Sequence, residues 1–200
     1  MSLRPDLAAI AEMIPPGSRV LDVGCGDGQL LEHLKTTKNV DGRGLELSQQ
    51  NVNACVARGL AVIQGDADTD LHEYPSQVFD IVILSQTIQA TYDPSKVLEH
   101  LLRIGKRTIV SLPNFGHWRV RLSLLFNGRM PQTQALGYSW HDTPNIHLFS
   151  LNDFQDLCAR ENIVIEELIC FPGTIASRFL LGLGFKNAGA EFVVARITKK

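Results

Sequence analysis

The chain has 200 residues, 44% of them apolar, and a formal net charge of −2. This length can fill one core, so we expect a single domain spanning residues 1–200. Lysine and arginine are scattered, which argues against binding to nucleic acid or to an anionic membrane. No apolar run approaches the ~20 residues of a membrane span, and the N-terminal segment lacks secretory-signal features, so we expect a cytoplasmic protein.

Short apolar strands alternate with amphipathic helices over the first 112 residues. This rhythm is typical of a parallel sheet with helices on both faces. Ser48 and Asp93, the latter followed by Pro94, are helix-start signals. The predicted strands are 19–23, 42–47, 61–64, 79–85 and 108–112, and the predicted helices are 5–14, 29–36, 50–58 and 93–103.

The rhythm breaks at residues 113–149, which we interpret as an insertion after the fifth strand, with one amphipathic helix near 120–126. Ser150 and Asp153 resemble a capping box that begins a helix ending near 161. Runs 164–171 and 191–198 are joined by a long loop and would pair antiparallel at one edge of the sheet. The insertion lies where a lid or partner surface would form, and some of its aromatic residues suit an interface, with core packing as the alternative: Phe115, Trp118, Phe126, Tyr138 and Trp140.

The sharpest motif is VLDVGCGDG at 20–28, a strand running into a turn with alternating glycines. Glycines allow tight turns and let a ligand approach the backbone amides. The third glycine of a dinucleotide fingerprint would fall at Gln29, so a cofactor without a pyrophosphate is favoured. Asp22 could anchor an ammonium group, such as that of S-adenosylmethionine. A purely structural glycine turn is the alternative.

Two further carboxylates follow the next predicted strands. Glu46 ends the second strand, where it could accept hydrogen bonds from both hydroxyls of a ribose. Asp66 follows the third strand and could accept from an adenine amino group while Ala67 offers its amide, although helix capping would also explain Asp66. Ser85 and Gln86 end the fourth strand and would line the same crevice.

The glycine turn, Glu46 and the sequence Gly65-Asp66-Ala67 resemble the first three motifs of class I S-adenosylmethionine-dependent methyltransferases, over residues 18–112. The resemblance implies a Rossmann-like α/β fold with a mostly parallel seven-stranded sheet and an antiparallel edge strand. The cofactor would be S-adenosylmethionine or S-adenosylhomocysteine. The expected cofactor-binding residues are Asp22, Gly24, Cys25, Gly26, Gly28, Glu46, Leu47, Asp66, Ala67, Ser85 and Gln86.

Three segments of the second half, SLPNFGHW at 111–118, GRMP at 128–131 and WHDTPNIH at 140–147, resemble the MetW family of methionine-biosynthesis proteins. His141 stands where the family usually has an aromatic residue. The resemblance implies a partner of a homoserine O-acyltransferase (MetX), which supports the acylation step of methionine biosynthesis and has a methyltransferase-like fold.

Signals for catalysis are sparse. Residues 84–87 read LSQT rather than the Asn/Asp-Pro-Pro-Tyr/Phe of amino-group methyltransferases, and there is no Pro-Cys nucleophile. His117 is the candidate base. His141 and His147, with Asp142, are more typical of hydrogen-bonded scaffolding than of a metal site. Three hypotheses stay open: a partner protein, a methyltransferase acting on a small metabolite, and a partner regulated by cofactor occupancy.

Overall fold

The computed structural model describes residues 3–133 and 136–200 and contains a seven-stranded sheet ordered β3-β2-β1-β4-β5-β7-β6. The strands are β1 Arg19–Val23, β2 Asp41–Glu46, β3 Ala61–Gln64, β4 Phe79–Ser85, β5 Gly105–Pro113, β6 Ile163–Phe171 and β7 Phe192–Lys199. The helices are α1 Pro5–Glu12, α2 Gln29–Lys38, α3 Gln49–Ala57, α4 Pro94–Ile104, α5 Trp118–Asn127, α6 Leu151–Arg160, α7 Ile175–Gly182 and α8 Lys186–Gly189.

Strands β1 to β5 pair in parallel, whereas β7 runs antiparallel to both β5 and β6. The predicted α/β class and the antiparallel pair at one edge are therefore confirmed, with β7 as the inner strand of the pair. The chain winds outward from β1 to β3 and then crosses back to β4 on the other side of β1. Ligands of open α/β sheets bind at this switch point, outside the carboxyl ends of the strands.

The apolar run of β4 is buried on both faces of the sheet. Val82 and Leu84 pack into one core cluster, and Ile81 and Ile83 into another. Successive side chains of a strand point to opposite faces, so an uninterrupted apolar run is required where helices cover both. The centre of the sheet is thus a rigid support for the turns at its carboxyl edge.

The predicted helix starts at Ser48, Asp93 and Ser150 are confirmed. The side chains of Ser48 and Asp93 accept hydrogen bonds from the backbone of α3 and α4, and Ser150 and Asp153 form a reciprocal capping box. Side-chain acceptors satisfy amides that the first helical turn leaves without partners. Local sequence therefore fixes where these helices begin.

The prediction of a long loop between the last two strands is wrong, because this segment contains α7 and α8. The Thr174 side chain caps α7 by accepting from the Ser177 amide at 3.1 Å. Helix α7 exposes much of its apolar surface, including Ile175 and Phe179. Its apolar side chains are therefore not confined to a buried stripe, the pattern by which an amphipathic helix is recognised in a sequence.

Asn114 fastens the two ends of the insertion to the body of the protein. Its Nδ2 donates to the carbonyl oxygens of Asn187 and Ala190, both at 2.7 Å. Its Oδ1 accepts from the amides of Gly116 at 3.0 Å and Leu151 at 2.9 Å. One buried side chain thus holds the start of the insertion, its end and α8 together.

Candidate cofactor site

The turn after β1 brings bare backbone to the carboxyl edge of the sheet. The Gly24 amide donates to the Leu45 carbonyl at 2.7 Å. Gly24 has φ +72°, and a Cβ there would lie 2.5 Å from Thr87 Oγ1. Both the backbone conformation and the close approach of Thr87 require glycine at this position.

Glu46 is held at the end of β2 by three hydrogen bonds. Its Oε2 accepts from the Gly26 amide at 2.8 Å, and its Oε1 accepts from the Ser48 amide at 2.9 Å and from Asn51 Nδ2 at 3.3 Å. A carboxylate has about four acceptor sites, so capacity remains for a ligand hydroxyl. The same bonds also fix the glycine turn against the start of α3.

Asp22 is a buried carboxylate whose Oδ1 has no hydrogen-bond partner among the described residues. Burial, reinforced by the nearby charge of Glu46, raises the pKa of Asp22 to about 7. Buried polar atoms are almost always paired in folded proteins. The unpaired oxygen therefore marks a place where a ligand can supply a donor or a positive charge.

Asp22, Gly24 and Glu46 line a cavity of about 600 Å³ at the carboxyl ends of β1, β2 and β4. A second cavity of about 210 Å³ shares Gly24, Glu46 and Thr87 with it. The first volume is within the usual range for cofactor sites. The predicted residues divide between the cavities, with Asp22, Gly24, Cys25, Gly26, Glu46, Ser85 and Gln86 on the larger, and Gly24, Glu46, Leu47, Asp66 and Ala67 on the smaller.

Asp66 lines the smaller cavity and also stabilises its own loop. Its Oδ1 accepts from the Asp68 amide at 2.9 Å, and its amide donates to Asp70 Oδ2 at 2.9 Å. Asp66 therefore stabilises the local backbone and also lies beside a cavity.

Ser85 and Gln86 are fixed by β5 and α1. Ser85 Oγ lies 3.0 Å from Ser111 Oγ, and the Gln86 amide donates to that same hydroxyl at 3.1 Å. Gln86 Nε2 donates to Asp6 Oδ2 at 3.0 Å. The end of β4 is thereby joined to the N-terminal helix beside the larger cavity.

Gly28, also predicted to bind the cofactor, is not among the described residues lining either cavity. A Cβ at Gly28 would lie 2.5 Å from Leu60 Cδ1 and 2.8 Å from Cys55 Sγ. Gly28 therefore allows α2 to begin tightly against α3 and the residue that precedes β3. Cys25 does line the larger cavity, and burial raises the pKa of its thiol, which keeps the sulfur protonated.

His117 does not meet the geometric requirement for a base at this site, because it lies outside the described lining of both cavities. Its Nε2 lies 2.8 Å from Ser177 Oγ, and Trp118 Nε1 donates to the same hydroxyl at 3.0 Å. Burial lowers the pKa of His117 to about 4. The neutral imidazole is part of the junction between α5 and α7.

Within residues 3–133 and 136–200, the structure contains no group of three or more His, Cys, Asp or Glu side chains arranged to hold a metal ion. The same described part of the chain has no helix with the length and hydropathy needed to cross a membrane.

The sequence interpretation missed several residues that line the larger cavity. Thr87 follows two predicted residues directly and could have been included on that ground. Arg4 and Leu7 belong to the N-terminal segment, and Tyr138 and Pro144 to the insertion. Their sequence distance from the glycine turn gives no local signal, since only tertiary packing brings them together.

The order and directions of the seven strands are those of the class I S-adenosylmethionine-dependent methyltransferase fold. A possible histamine N-methyltransferase from Thermotoga maritima aligns with a TM-score of 0.68 and 20% identity over 98% of this chain and 88% of its own. An S-adenosylmethionine-dependent methyltransferase from Mesorhizobium loti aligns with a TM-score of 0.68 and 17% identity over 95% of both chains.

Within this class, the chain belongs to the MetW family: the family model described as "Methionine biosynthesis protein MetW" matches residues 4–194. A bifunctional methionine biosynthesis protein MetXA/MetW from Rhodopirellula baltica is 36% identical over 176 residues, which cover 84% of this chain and 28% of that protein. The chain spans 26 to 32% of the lengths of the curated relatives it matches.

Proposed function

We propose that this protein binds S-adenosylmethionine or S-adenosylhomocysteine and supports a homoserine O-acyltransferase in methionine biosynthesis. The observation that carries the partner assignment is the Rhodopirellula baltica relative, which joins MetXA and MetW in one chain. A fusion keeps two functional units at high effective concentration, which is useful when they must contact each other.

The residues of the two cavities fit the parts of this cofactor. Asp22 offers an unpaired buried oxygen to the ammonium group. Glu46, at the boundary of the two cavities, would accept from the ribose hydroxyls, and the adenine would occupy the smaller cavity beside Asp66 and Ala67. When bound, S-adenosylmethionine supplies a methyl group on a positively charged sulfur.

The cofactor proposal is tested by calorimetric titration of both ligands. The Glu46→Gln variant should bind each ligand at least about tenfold more weakly, because a charge-assisted hydrogen bond contributes roughly 1.5–3 kcal/mol. Glu161→Gln is the matched control, since Glu161 is exposed at the end of α6. Failure of the wild-type protein to bind either ligand, or equal affinity in Glu46→Gln, would contradict the proposal.

The partner surface that we propose lies on the insertion. Leu125, Phe126 and Trp140 are 73%, 76% and 77% exposed, and Tyr138 is 57% exposed. Large apolar side chains at this exposure are typical of surfaces that another protein covers. The acyltransferase is the proposed occupant, because a relative carries MetXA in the same chain as this domain.

Copurification with the acyltransferase and assays of acyl transfer with and without this protein test the partnership. Phe126→Ser and Trp140→Ser should each weaken the complex at least about tenfold, as expected for a central aromatic contact. Val56→Ser is the control, because Val56 is 57% exposed on α3, outside the insertion. Equal acyltransferase activity without this protein, together with no copurification, would reject the partnership.

A methyltransferase acting on a small metabolite is the second candidate. A third cavity of about 150 Å³ is lined largely by apolar residues of the insertion, including Met130 and Leu136, and shares Tyr138 with the larger cavity. An acceptor bound there would lie next to the cofactor cavity. Formation of S-adenosylhomocysteine with a metabolite panel would support this activity, and no turnover across a broad panel would count against it.

A further inference from the structure

Arg4 differs in charge from the other ionisable side chains at the larger cavity. Among the described residues lining it, Arg4 is the sole Lys or Arg, and Asp22, Asp27 and Glu46 are acidic. Asp27 is already paired with Arg58 at 3.3 Å. The amino-acid group of the proposed cofactor carries an ammonium and a carboxylate, for which Asp22 and Arg4 offer the opposite charges.

Arg4 forms an ion pair with a buried carboxylate that is itself anchored to β4. Arg4 Nη2 lies 3.1 Å from Asp6 Oδ2, and Asp6 is only 2% exposed. Gln86 Nε2 donates to the same oxygen at 3.0 Å, which anchors Asp6 to the end of β4. A guanidinium has five N–H donors in a planar fork, so binding to Asp6 leaves donors that can reach a second carboxylate.

The surroundings of Arg4 also favour an anion. Arg4 precedes the first residue of α1, and Leu7 of its first turn lines the cavity. The positive end of a helix dipole stabilises negative charge. On the same cavity, the unpaired Asp22 oxygen is suited to an ammonium group. A cation site and an anion site on one wall match an α-amino acid, in which the ammonium and carboxylate groups are attached to the same carbon.

We propose that Arg4 binds the carboxylate of the cofactor's amino-acid group and that Asp6 is its positioning residue. This inference rests on the proposed cofactor site and adds a specificity determinant to it. Arg4 would distinguish ligands that retain the carboxylate from those that have lost it. The N-terminal segment thereby becomes part of the binding site.

The test compares S-adenosylmethionine with decarboxylated S-adenosylmethionine, which differ only in the carboxylate. In calorimetric titrations of the full chain, Arg4→Gln should reduce affinity for the first ligand at least about tenfold and leave affinity for the second within about twofold. Arg4→Lys should give a smaller loss, because lysine keeps the charge but not the planar fork. Asp6→Asn should show the same dependence on the ligand, which a merely structural role would not produce.

Arg160→Gln is the matched control, since Arg160 is 74% exposed at the end of α6. It should leave both affinities unchanged. Equal losses for the two ligands in Arg4→Gln, or no loss for either, would overturn the Arg4 assignment while the cofactor site stands. If the wild-type protein binds neither ligand, the proposed cofactor function fails and the Arg4 assignment fails with it.

Discussion

Replacing Asp22 with asparagine should stabilise the ligand-free protein at alkaline pH. The pKa of this carboxyl rises from the ordinary value of 3.8 to about 7, through burial and then through the charge of Glu46. At about 1.4 kcal/mol per pH unit, a difference of about three units corresponds to about 4 kcal/mol. Asparagine removes the buried charge at nearly constant volume. Because 1 kcal/mol shifts the melting temperature of a domain this size by about 2–4 °C, the gain is on the order of 10 °C.

The pH dependence gives the sign of this effect. Between the unfolded pKa of 3.8 and the folded pKa of about 7, the folded state holds the Asp22 proton more tightly than the unfolded state does. The stability that Asp22 contributes is therefore complete below about pH 4 and is lost as the pH rises through 7. The difference in free energy of unfolding between Asp22→Asn and wild type should be near zero at pH 4 and about 4 kcal/mol at pH 8.5.

Urea unfolding of both proteins across this pH range measures the difference directly. Asp41→Asn is the control, because Asp41 is 49% exposed and its ion pairs with Arg19 and Arg43 lie on the surface, where such pairs contribute about 0–1 kcal/mol. An Asp22→Asn variant that is less stable than wild type at pH 8.5, or a gain that does not change with pH, would refute the reasoning.

Three further predictions concern the glycine turn, the insertion and the partner. Gly24→Ala should destabilise the protein by about 1–3 kcal/mol in urea unfolding, because φ is +72° and a Cβ there would lie 2.5 Å from Thr87 Oγ1. Gly17→Ala is the control for the backbone conformation alone, because Gly17 also has φ +72° but a Cβ there would have no atom within 4 Å. Asn114→Ala should lower the free energy of unfolding by about 3–5 kcal/mol, because it removes the partner of four backbone groups, three of them in buried residues. If cofactor occupancy regulates the partner, calorimetry should show different cofactor affinities with and without the acyltransferase, and unchanged affinity would exclude this regulation.

Strand ends and their turns could be predicted well from the sequence. Apolar runs and glycines locate the ends of β1 to β4 within a residue or two, and parallel strands place those ends at one edge. Glu46 and Asp66 could therefore be assigned to one site from the sequence alone. Their lining of adjoining cavities follows from strand order, which the alternation of strands and helices constrains strongly.

The contributions that depend on long-range packing could not be predicted. Gly28 belongs to the same motif as Gly24, yet it faces Leu60 and Cys55 rather than the cavity. Arg4 has no local pattern that connects it to β4, because the link runs through Asp6 and a glutamine about 80 residues away. Motif spacing specifies which residues lie in a turn but not which way each one faces.

The proposed cofactor cavity and the proposed partner surface share one segment of chain. Tyr138 and Pro144 line the larger cavity, while Trp140, between them, is 77% exposed. A ligand that contacts this segment can alter the partner's affinity only if its contacts differ between the free and bound states of the protein. If such coupling exists, we expect it to act through Tyr138, Trp140 and Pro144.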